Sequence, residues 1–212
     1  MHPRDLQQQI ETWTAANCGL EERTYLSISD LHKTPCEIYE NLTRGRDAAA
    51  IRPEYKQLFY YDRALKADMI RRLEALGLYS KGAHEITAYG GRVRGHPDGL
   101  AAGNLLHIKP CNGGAFDKVR ETRRMPERDF EQMQLYLLYA KREQMNVIYL
   151  DRSTGAFYVI GVRFDERTAQ RMDQRVQDIL QAVDRHQPPE CRCGRHKVEY
   201  VIRQPEYRVR TA

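Results

Sequence analysis

The sequence contains no long apolar run, and this absence argues against both a membrane-spanning protein and a secreted one. A helix that crosses a bilayer needs roughly 20 consecutive apolar residues, and no stretch of the 212-residue sequence approaches that length. The polar segment from Met1 to Asp5 also lacks the apolar stretch of a signal peptide. We therefore expect no membrane partner and a location in the cytoplasm of a bacterial, archaeal or phage-infected host cell.

Cysteine is scarce and odd in number, with five residues. A cytoplasmic chain keeps its cysteines reduced, so we expect no structural disulfides. Internal repeats and low-complexity tracts are absent as well. Apolar residues make up 41% of the chain and charged residues 30%, as in globular proteins. The chain is therefore expected to fold around one substantial core.

The charge balance is mildly basic. Lysine and arginine total 34 against 29 aspartates and glutamates, a formal net charge of +5, which favours a polyanionic partner without identifying one. Five basic residues gather in one short stretch, which is either a nucleic-acid-binding surface or a solvated helix face: Lys118, Arg120, Arg123, Arg124 and Arg128.

The spacing of apolar and turn-forming residues predicts helices packed on a mixed β-sheet, an α/β fold. A capping box at Thr34 and Glu37, and Asp165 as an N-cap, mark two of the helix starts. The predicted helices cover 5–16, 34–43, 53–76, a segment opened by Pro126, and 165–186. The predicted strands cover 84–89, 92–96, 104–109, 146–150 and 156–164.

The predicted strands bring a carboxylate close to a lysine. Asp98 ends one strand, while His107 and Lys109 alternate on the next, so both of these side chains lie on one face of the sheet. A carboxylate is an oxygen ligand suited to Mg²⁺ or Mn²⁺, and an adjacent lysine can orient or deprotonate a water molecule. This combination suits phosphodiester hydrolysis. The alternative is an ordinary Asp-Gly turn beside a strand that ends in lysine.

Four segments in this order resemble the RecB-like branch of the PD-(D/E)XK nuclease superfamily, which includes CRISPR-associated and many phage exonucleases. They are Ser27-Ile28-Ser29-Asp30-Leu31, Gly95-His96-Pro97-Asp98-Gly99, Leu105-Leu106-His107-Ile108-Lys109 and Gln132-Met133-Gln134-Leu135-Tyr136. The resemblance implies a restriction-endonuclease-like mixed β-sheet flanked by helices. It places the nuclease-like domain at 27–187, between an N-terminal arm or helix at 1–26 and a Cys- and Arg-rich tail at 188–212.

The resemblance also implies roles for individual residues. The family's metal-binding aspartate matches Asp98, its catalytic lysine matches Lys109, and the backbone carbonyl of Ile108 falls where the family places an oxygen on the metal. Gln132 and Tyr136 match the family's Gln-x-x-x-Tyr motif, and on a helix these residues share one face towards the DNA or the lysine. The basic residues Arg120, Arg123 and Arg124 are further candidates for contacts with DNA.

The function implied is that of a metal-dependent DNA exonuclease, using Mg²⁺ or Mn²⁺, in recombination, repair, or phage or CRISPR processing. Its partner is DNA, as single strands or duplex ends. Two further kinds of partner are left open: other copies of the chain in a homo-oligomer, and a recombination or adaptation protein. The alternative is a catalytically reduced nuclease fold that binds nucleic acid or a partner protein without cutting. The main support for the alternative is the histidine at position 107.

Several positions depart from the family pattern. The family expects Glu or Asp where this chain has His107, and imidazole binds Mn²⁺ and other transition metals but is a poor ligand for Mg²⁺. A structural core histidine is the alternative role. Lys66 lies near the place of the usual upstream histidine, which leaves Asp68 as a weak candidate ligand. Glu85 is a tentative second carboxylate or an ordinary surface residue of its strand.

The cysteines match a second feature of some family members in part. Those members hold a 4Fe–4S cluster with one cysteine ahead of the core and three near the C-terminus. Cys36, Cys191 and Cys193 fit that layout, with Cys18 or His196 as the fourth ligand. Zn²⁺ bound by three cysteines and His196 is an equal alternative, and reduced cysteines without a metal are the third.

Overall fold

The computed structural model describes residues 3–18, 23–45, 51–82 and 85–190. The helices within these ranges are α1 (Pro3–Asn17), α2 (Pro35–Arg44), α3 (Pro53–Ala75), α4 (Gly113–Thr122), α5 (Glu127–Ala140) and α6 (Glu166–Asp184). The strands are β1 (Leu26–Ser27), β2 (Tyr79–Ser80), β3 (Ile86–Ala88), β4 (Val93–Gly95), β5 (Gly99–Ala101), β6 (Asn104–Cys111), β7 (Gln144–Asp151) and β8 (Phe157–Arg163). A 3₁₀ turn, Ile28–His32, follows β1.

The strands form two sheets. The larger has the order β2-β5-β6-β7-β8, with β6 and β7 parallel and the other pairs antiparallel, and the smaller has the order β1-β4-β3. Parallel neighbours need a long crossover connection, which α4 and α5 supply here between β6 and β7. The predicted mixed α/β fold is confirmed, although the strands divide between two sheets instead of one.

Side-chain alternation along β6 divides the core into two parts. Leu106 and Ile108 pack with Met69 of α3 on one face of the large sheet. Leu105 belongs to the larger cluster on the other face, which includes Met133 of α5. Because successive side chains of a strand point to opposite faces, His107 and Lys109 lie on the α5 side with Leu105. The central strand thus places both polar side chains against one helix.

Some element predictions need correction. The structure adds α4 and the short strands β1, β2 and β5, which the sequence pattern did not predict. The segment Asn112-Gly113-Gly114 has the composition of a turn, but the Asn112 side chain accepts a hydrogen bond from the N–H of Ala115 and caps α4. Asp98 lies in the connection between β4 and β5, not at the end of a strand.

Helix α3 is fixed to both of its neighbours. On one side it packs with α1, where the rings of Trp13 and Tyr60 meet edge to face at 5.5 Å. On the other side, the Arg152 guanidinium donates to both oxygens of Asp62 at 2.6 and 2.8 Å, and the Tyr61 hydroxyl donates to the Arg152 carbonyl at 3.0 Å.

In the described part of the chain, no helix has the length and apolar character needed to span a membrane.

Candidate active site

An open cleft of about 880 Å³ lies where α3, β6, α5 and the 3₁₀ turn meet. Asp98, His107, Lys109 and Gln132 all line it, and so does Ile108. The residues that the family resemblance singled out along three separate segments therefore come together in one place. Tyr136 is buried behind the cleft, with its ring 5.5 Å from that of His107.

Asp98 is held by donors on both of its oxygens. Lys66 Nζ lies 2.9 Å from Oδ1 and 3.2 Å from Oδ2, and the backbone N–H of Ile108 donates to Oδ2 at 2.7 Å. Burial alone would raise the pKa of Asp98, but the Lys66 ammonium and the Ile108 N–H hold it well below its usual range. The carboxylate is therefore ionised, and both of its oxygens accept hydrogen bonds.

Two glycines allow the Asp98 segment to lie this close to its neighbours. A Cβ on Gly95 would come within 2.6 Å of both Ile28 and Tyr136, so only glycine fits between them. Gly99 has a φ of +122°, and a Cβ there would meet the Tyr79 ring at 2.6 Å. The Tyr79 hydroxyl in turn donates to the Asp98 carbonyl at 3.2 Å. Steric fit accounts for Gly95, and both steric fit and the positive φ account for Gly99.

His107 is nearly buried and makes no aligned hydrogen bond through Nδ1. This atom lies 3.2 Å from Asp98 Oδ2, close enough for electrostatic attraction, but the direction does not satisfy hydrogen-bond geometry. Burial lowers the pKa of His107, and this effect outweighs the opposing influence of the Asp98 carboxylate. At neutral pH the ring is therefore uncharged and adds no positive charge beside Asp98.

Lys109 contacts a carboxylate that the sequence did not predict. Its Nζ donates to Asp129 Oδ1 at 2.5 Å and approaches Gln132 Oε1 at 3.5 Å. The Tyr149 hydroxyl donates to the other oxygen of Asp129 at 2.8 Å. Burial lowers the pKa of Lys109, while the Asp129 carboxylate opposes that shift. Lys109 and Asp98 thus line the same cleft, yet the ammonium of Lys109 is paired with Asp129.

Other candidate residues do not line the cleft. Asp68 pairs with Arg71 and Arg72 on the surface of α3, and Glu85 pairs with Arg94. The three basic candidates on and after α4 are also absent from the cleft walls: Arg120, which pairs with Asp117, and Arg123 and Arg124.

The proposed cysteine ligands can be placed only in part. Cys36 is buried at the start of α2, and Cys18 is buried and lines the cleft. Cys191, Cys193 and His196 lie outside the described residues, so the cluster and the zinc site both stay predictions. Among residues 3–18, 23–45, 51–82 and 85–190, no group of three or more His, Cys, Asp or Glu is arranged to hold a metal ion.

Comparison with solved structures relates the fold to nucleases. An alkaline exonuclease from Laribacter hongkongensis matches with a TM-score of 0.57 at 16% sequence identity, over 91% of this chain and 96% of that chain. Its complex with dAMP matches with a TM-score of 0.57 at 17% identity, over 90% and 95% of the two chains. The chain therefore shares the mixed α/β fold of this exonuclease. The expected restriction-endonuclease-like architecture is thereby confirmed.

A third solved structure matches over a smaller part of the chain. The protein SSO0001 has a TM-score of 0.53 at 17% identity, over 83% of this chain and 86% of that chain. No protein-family model and no curated protein sequence matches the chain.

The PD-(D/E)XK nucleases that the sequence resembles use a divalent metal ion, but the donor set of this chain does not fit Mg²⁺. Mg²⁺ prefers oxygen ligands, and the acidic position two residues before Lys109 is a histidine. Both oxygens of Asp98 already receive the Lys66 ammonium. Asp129 is taken up by Lys109 and Tyr149. A metal at the position that the family uses would have to displace Lys66.

Sequence reasoning missed two residues at the centre of the site. Lys66 was recognised as an unusual residue near the family's histidine position, but its contact with Asp98, 32 residues away, has no local sequence signal. Asp129 did have a local sequence signal. It precedes Gln132 by three residues on a helix, and this spacing places both residues on one face.

Proposed function

We propose that this chain binds DNA, as a single strand or a duplex end, in the cleft beside Asp98 and Lys109. The observation that carries the proposal is the charge of the cleft walls. Each acidic side chain of the lining is already ion-paired: Asp30 with Lys33, Asp62 with Arg152, Asp98 with Lys66, Asp129 with Lys109, and Glu131 with Arg171.

Arginines of the lining supply positive charge beyond these pairs. Arg63 projects from α3 and donates to the carbonyl of Asn17, with no carboxylate partner among the described residues. Arg128 at the start of α5 is largely exposed. Its Nε lies 3.5 Å from Asp129, a carboxylate that is already neutralised by Lys109. Because phosphate contacts dominate the affinity of proteins for nucleic acids, this cleft suits a DNA backbone. Gln132 adds an amide that can contact a strand.

The geometry favours the catalytically reduced form of this proposal, in which the chain binds DNA without cutting it. The position that the family uses for an acidic ligand is a buried neutral histidine, and the metal-binding aspartate is paired with a lysine. Such a protein would act in recombination, repair, or phage or CRISPR processing by holding DNA or a partner protein.

Metal-dependent exonuclease activity is the second candidate. It is supported by the presence of Asp98, Lys109 and Gln132 in one cleft and by the likeness of the fold to an alkaline exonuclease. In that form Lys109 would orient the attacking water and Gln132 would position the lysine, as the 3.5 Å approach of their polar atoms permits. Hydrolysis at Asp98 would require Lys66 to leave the carboxylate.

Binding is tested by fluorescence anisotropy with labelled single-stranded DNA and duplexes with free ends. Arg63→Ala removes a cleft arginine, while Arg71→Ala removes a neighbouring exposed arginine of the same helix that does not line the cleft. We expect Arg63→Ala to weaken binding about 3- to 10-fold and Arg71→Ala to leave it within twofold. Equal effects of the two substitutions would place the DNA elsewhere.

Cutting is tested with the same DNAs, end-labelled, in Mg²⁺ and separately in Mn²⁺. Binding without degradation by the wild type supports the reduced form. Degradation that is lost in Asp98→Ala and in Lys109→Ala supports the exonuclease. If degradation survives both substitutions, it arises from another site or from a contaminant.

A further inference from the structure

The Asp98 carboxylate already has a cation across its two oxygens. Lys66 Nζ is 2.9 Å from one oxygen and 3.2 Å from the other. We propose that the Lys66 ammonium is the resident cation of Asp98, in place of a divalent metal ion, and that DNA binding in the cleft consequently needs no metal. The DNA part of this inference rests on the proposed function, whereas the metal part stands on the site alone.

The remaining bonding capacity of Asp98 is also used. Oδ2 accepts the N–H of Ile108 at 2.7 Å and lies 3.2 Å from His107 Nδ1. A metal ion that approached either oxygen would meet the ammonium first. Ligation therefore requires that Lys66 be displaced, because two cations cannot share this carboxylate without strong repulsion.

No other carboxylate on the described cleft walls is free of an ion pair and so available to compensate a divalent charge. Asp129, on α5, is paired with Lys109, and its second oxygen accepts the Tyr149 hydroxyl. Each lysine of the centre thus has one aspartate. Adding a doubly charged ion would leave this centre with two positive charges for every carboxylate, in a partly buried setting where such repulsion is weakly screened.

Lys66 reaches Asp98 because α3 is firmly placed. Met69, three residues further along α3, packs against Leu106 and Ile108 of β6, and Asp62, four residues earlier, is bound by Arg152. These contacts lie on either side of Lys66 along the helix. The position of the ammonium is therefore set by the packing of the helix, unlike that of a freely moving surface lysine.

The first test is titration calorimetry with MgCl₂ or MnCl₂ alone. Wild type is compared with His107→Glu and with the double variant His107→Glu/Lys66→Gln. If a missing acidic ligand were the only defect, His107→Glu would bind Mg²⁺. We expect wild type and His107→Glu to bind neither ion at millimolar concentration, and the double variant to bind Mn²⁺ at least tenfold more tightly than His107→Glu.

A metal-induced rise in Tm, measured by thermal unfolding, gives a second readout. We expect it in the double variant and not in wild type. Lys66→Gln alone is a second variant in case the double variant does not fold, and we expect it to gain affinity for Mn²⁺ through Asp98 and His107. Arg63→Gln is the matched control, because it removes a cleft cation from the same helix face without touching Asp98.

Three outcomes would overturn the assignment of Lys66. They are Mn²⁺ binding by His107→Glu as tight as that of the double variant, no gain of Mn²⁺ affinity in Lys66→Gln, and an equal gain in Arg63→Gln. Any of these would show that the Lys66–Asp98 pair does not control metal access.

The second test measures binding of single-stranded DNA by wild type in EDTA and in MgCl₂. Dissociation constants within twofold of each other support metal-free binding, and a requirement for Mg²⁺ of tenfold or more contradicts it. If DNA binds in neither solution, the proposed function fails, while the metal titrations still decide whether Lys66 is the resident cation.

Discussion

Close packing fixes the backbone on both sides of Asp98. At Gly95 there is no room for a single methyl group between Ile28 and Tyr136. At Gly161, in β8, an added Cβ would meet no atom within 4 Å. These two glycines, both in strands, offer a direct comparison of overpacking with open space.

We predict that Gly95→Ala lowers the free energy of unfolding by about 1–3 kcal/mol, because overpacking forces neighbouring side chains to shift. Gly161→Ala should be neutral or slightly stabilising, because it restricts the unfolded chain without a clash. Urea denaturation of both variants and wild type checks the prediction. Equal destabilisation by the two alanines would mean that Tyr136 and Ile28 move apart freely.

Asp129 is the residue on which the balance of charge around Lys109 depends. It is 3% exposed and receives Lys109 and Tyr149 on different oxygens. We predict that Asp129→Ala costs about 2–4 kcal/mol of stability, because it leaves a largely buried ammonium without a partner. Asp117→Ala, which breaks an exposed pair with Arg120, should cost no more than about 0.5 kcal/mol.

Chemical denaturation of the two aspartate variants distinguishes these cases. A loss in Asp129→Ala no larger than that in Asp117→Ala would show that Lys109 finds water or another partner when Asp129 is absent.

The central residues were predictable from the sequence to different degrees. Asp98, His107, Lys109 and Gln132 were proposed because they lie in short motifs with a recognisable order, and all four line one cleft. The partners of the two lysines were not found, since Lys66 and Asp98 are 32 residues apart and Lys109 and Asp129 are 20 apart. Which acid neutralises which base depends on the tertiary arrangement, and no spacing rule for a single element encodes it.

At the scale of elements, a tyrosine pair connects the small sheet to two helices. The hydroxyls of Tyr89, beyond β3, and Tyr139, on α5, both donate to one oxygen of Asp173 on α6, at 2.7 and 2.6 Å. Burial and the bond to Asp173 raise the pKa of Tyr89 to about 12, and the same two causes raise the pKa of Tyr139 further. Both hydroxyls are therefore protonated in the folded protein at neutral pH.

These raised values predict a loss of stability in alkali. Because the pKa of each tyrosine is higher in the folded than in the unfolded protein, the contribution of the pair is complete below about pH 10. It declines as the pH rises from there through about 12. The free energy of unfolding of Tyr89→Phe/Tyr139→Phe should thus fall less steeply across this range than that of wild type.

Urea denaturation at a series of pH values measures the two slopes. The comparison with the double variant is needed because Tyr136 and Tyr149 also have raised pKa values and remain in both proteins. Parallel curves would indicate that Asp173 does not couple to the two hydroxyls.

Elements with strong local signals were predicted well. The capping box at Thr34 and Glu37 and the N-cap at Asp165 start α2 and α6 as expected. Strands of two or three residues, such as β1 and β5, are too short for a period of two to emerge, and they form because a neighbouring strand supplies hydrogen bonds. The division into two sheets likewise depends on pairings between distant segments.

At the scale of the whole molecule, the net charge of +5 and the basic cleft predict salt-dependent DNA binding. The logarithm of the binding constant should fall linearly with the logarithm of the salt concentration, by about 0.7 for each phosphate contacted on a single strand. Arg63→Ala should reduce that slope by about one such contact, and Arg71→Ala should not. Anisotropy titrations from low to moderate salt test this. A binding constant that does not change with salt would exclude electrostatic contacts with the DNA backbone.

The attachment of α3 by Arg152 has a mechanical consequence. The guanidinium of Arg152 holds Asp62, and its carbonyl oxygen accepts the Tyr61 hydroxyl, so one residue beyond β7 fastens the helical wall to the sheet at two adjacent points. These contacts resist movement of α3 away from the sheet, so we expect the cleft to keep its width when a ligand binds. Under the proposed function, the width of the cleft would then decide which nucleic acids bind. Those that fit the opening would be admitted, and wider ones would be excluded.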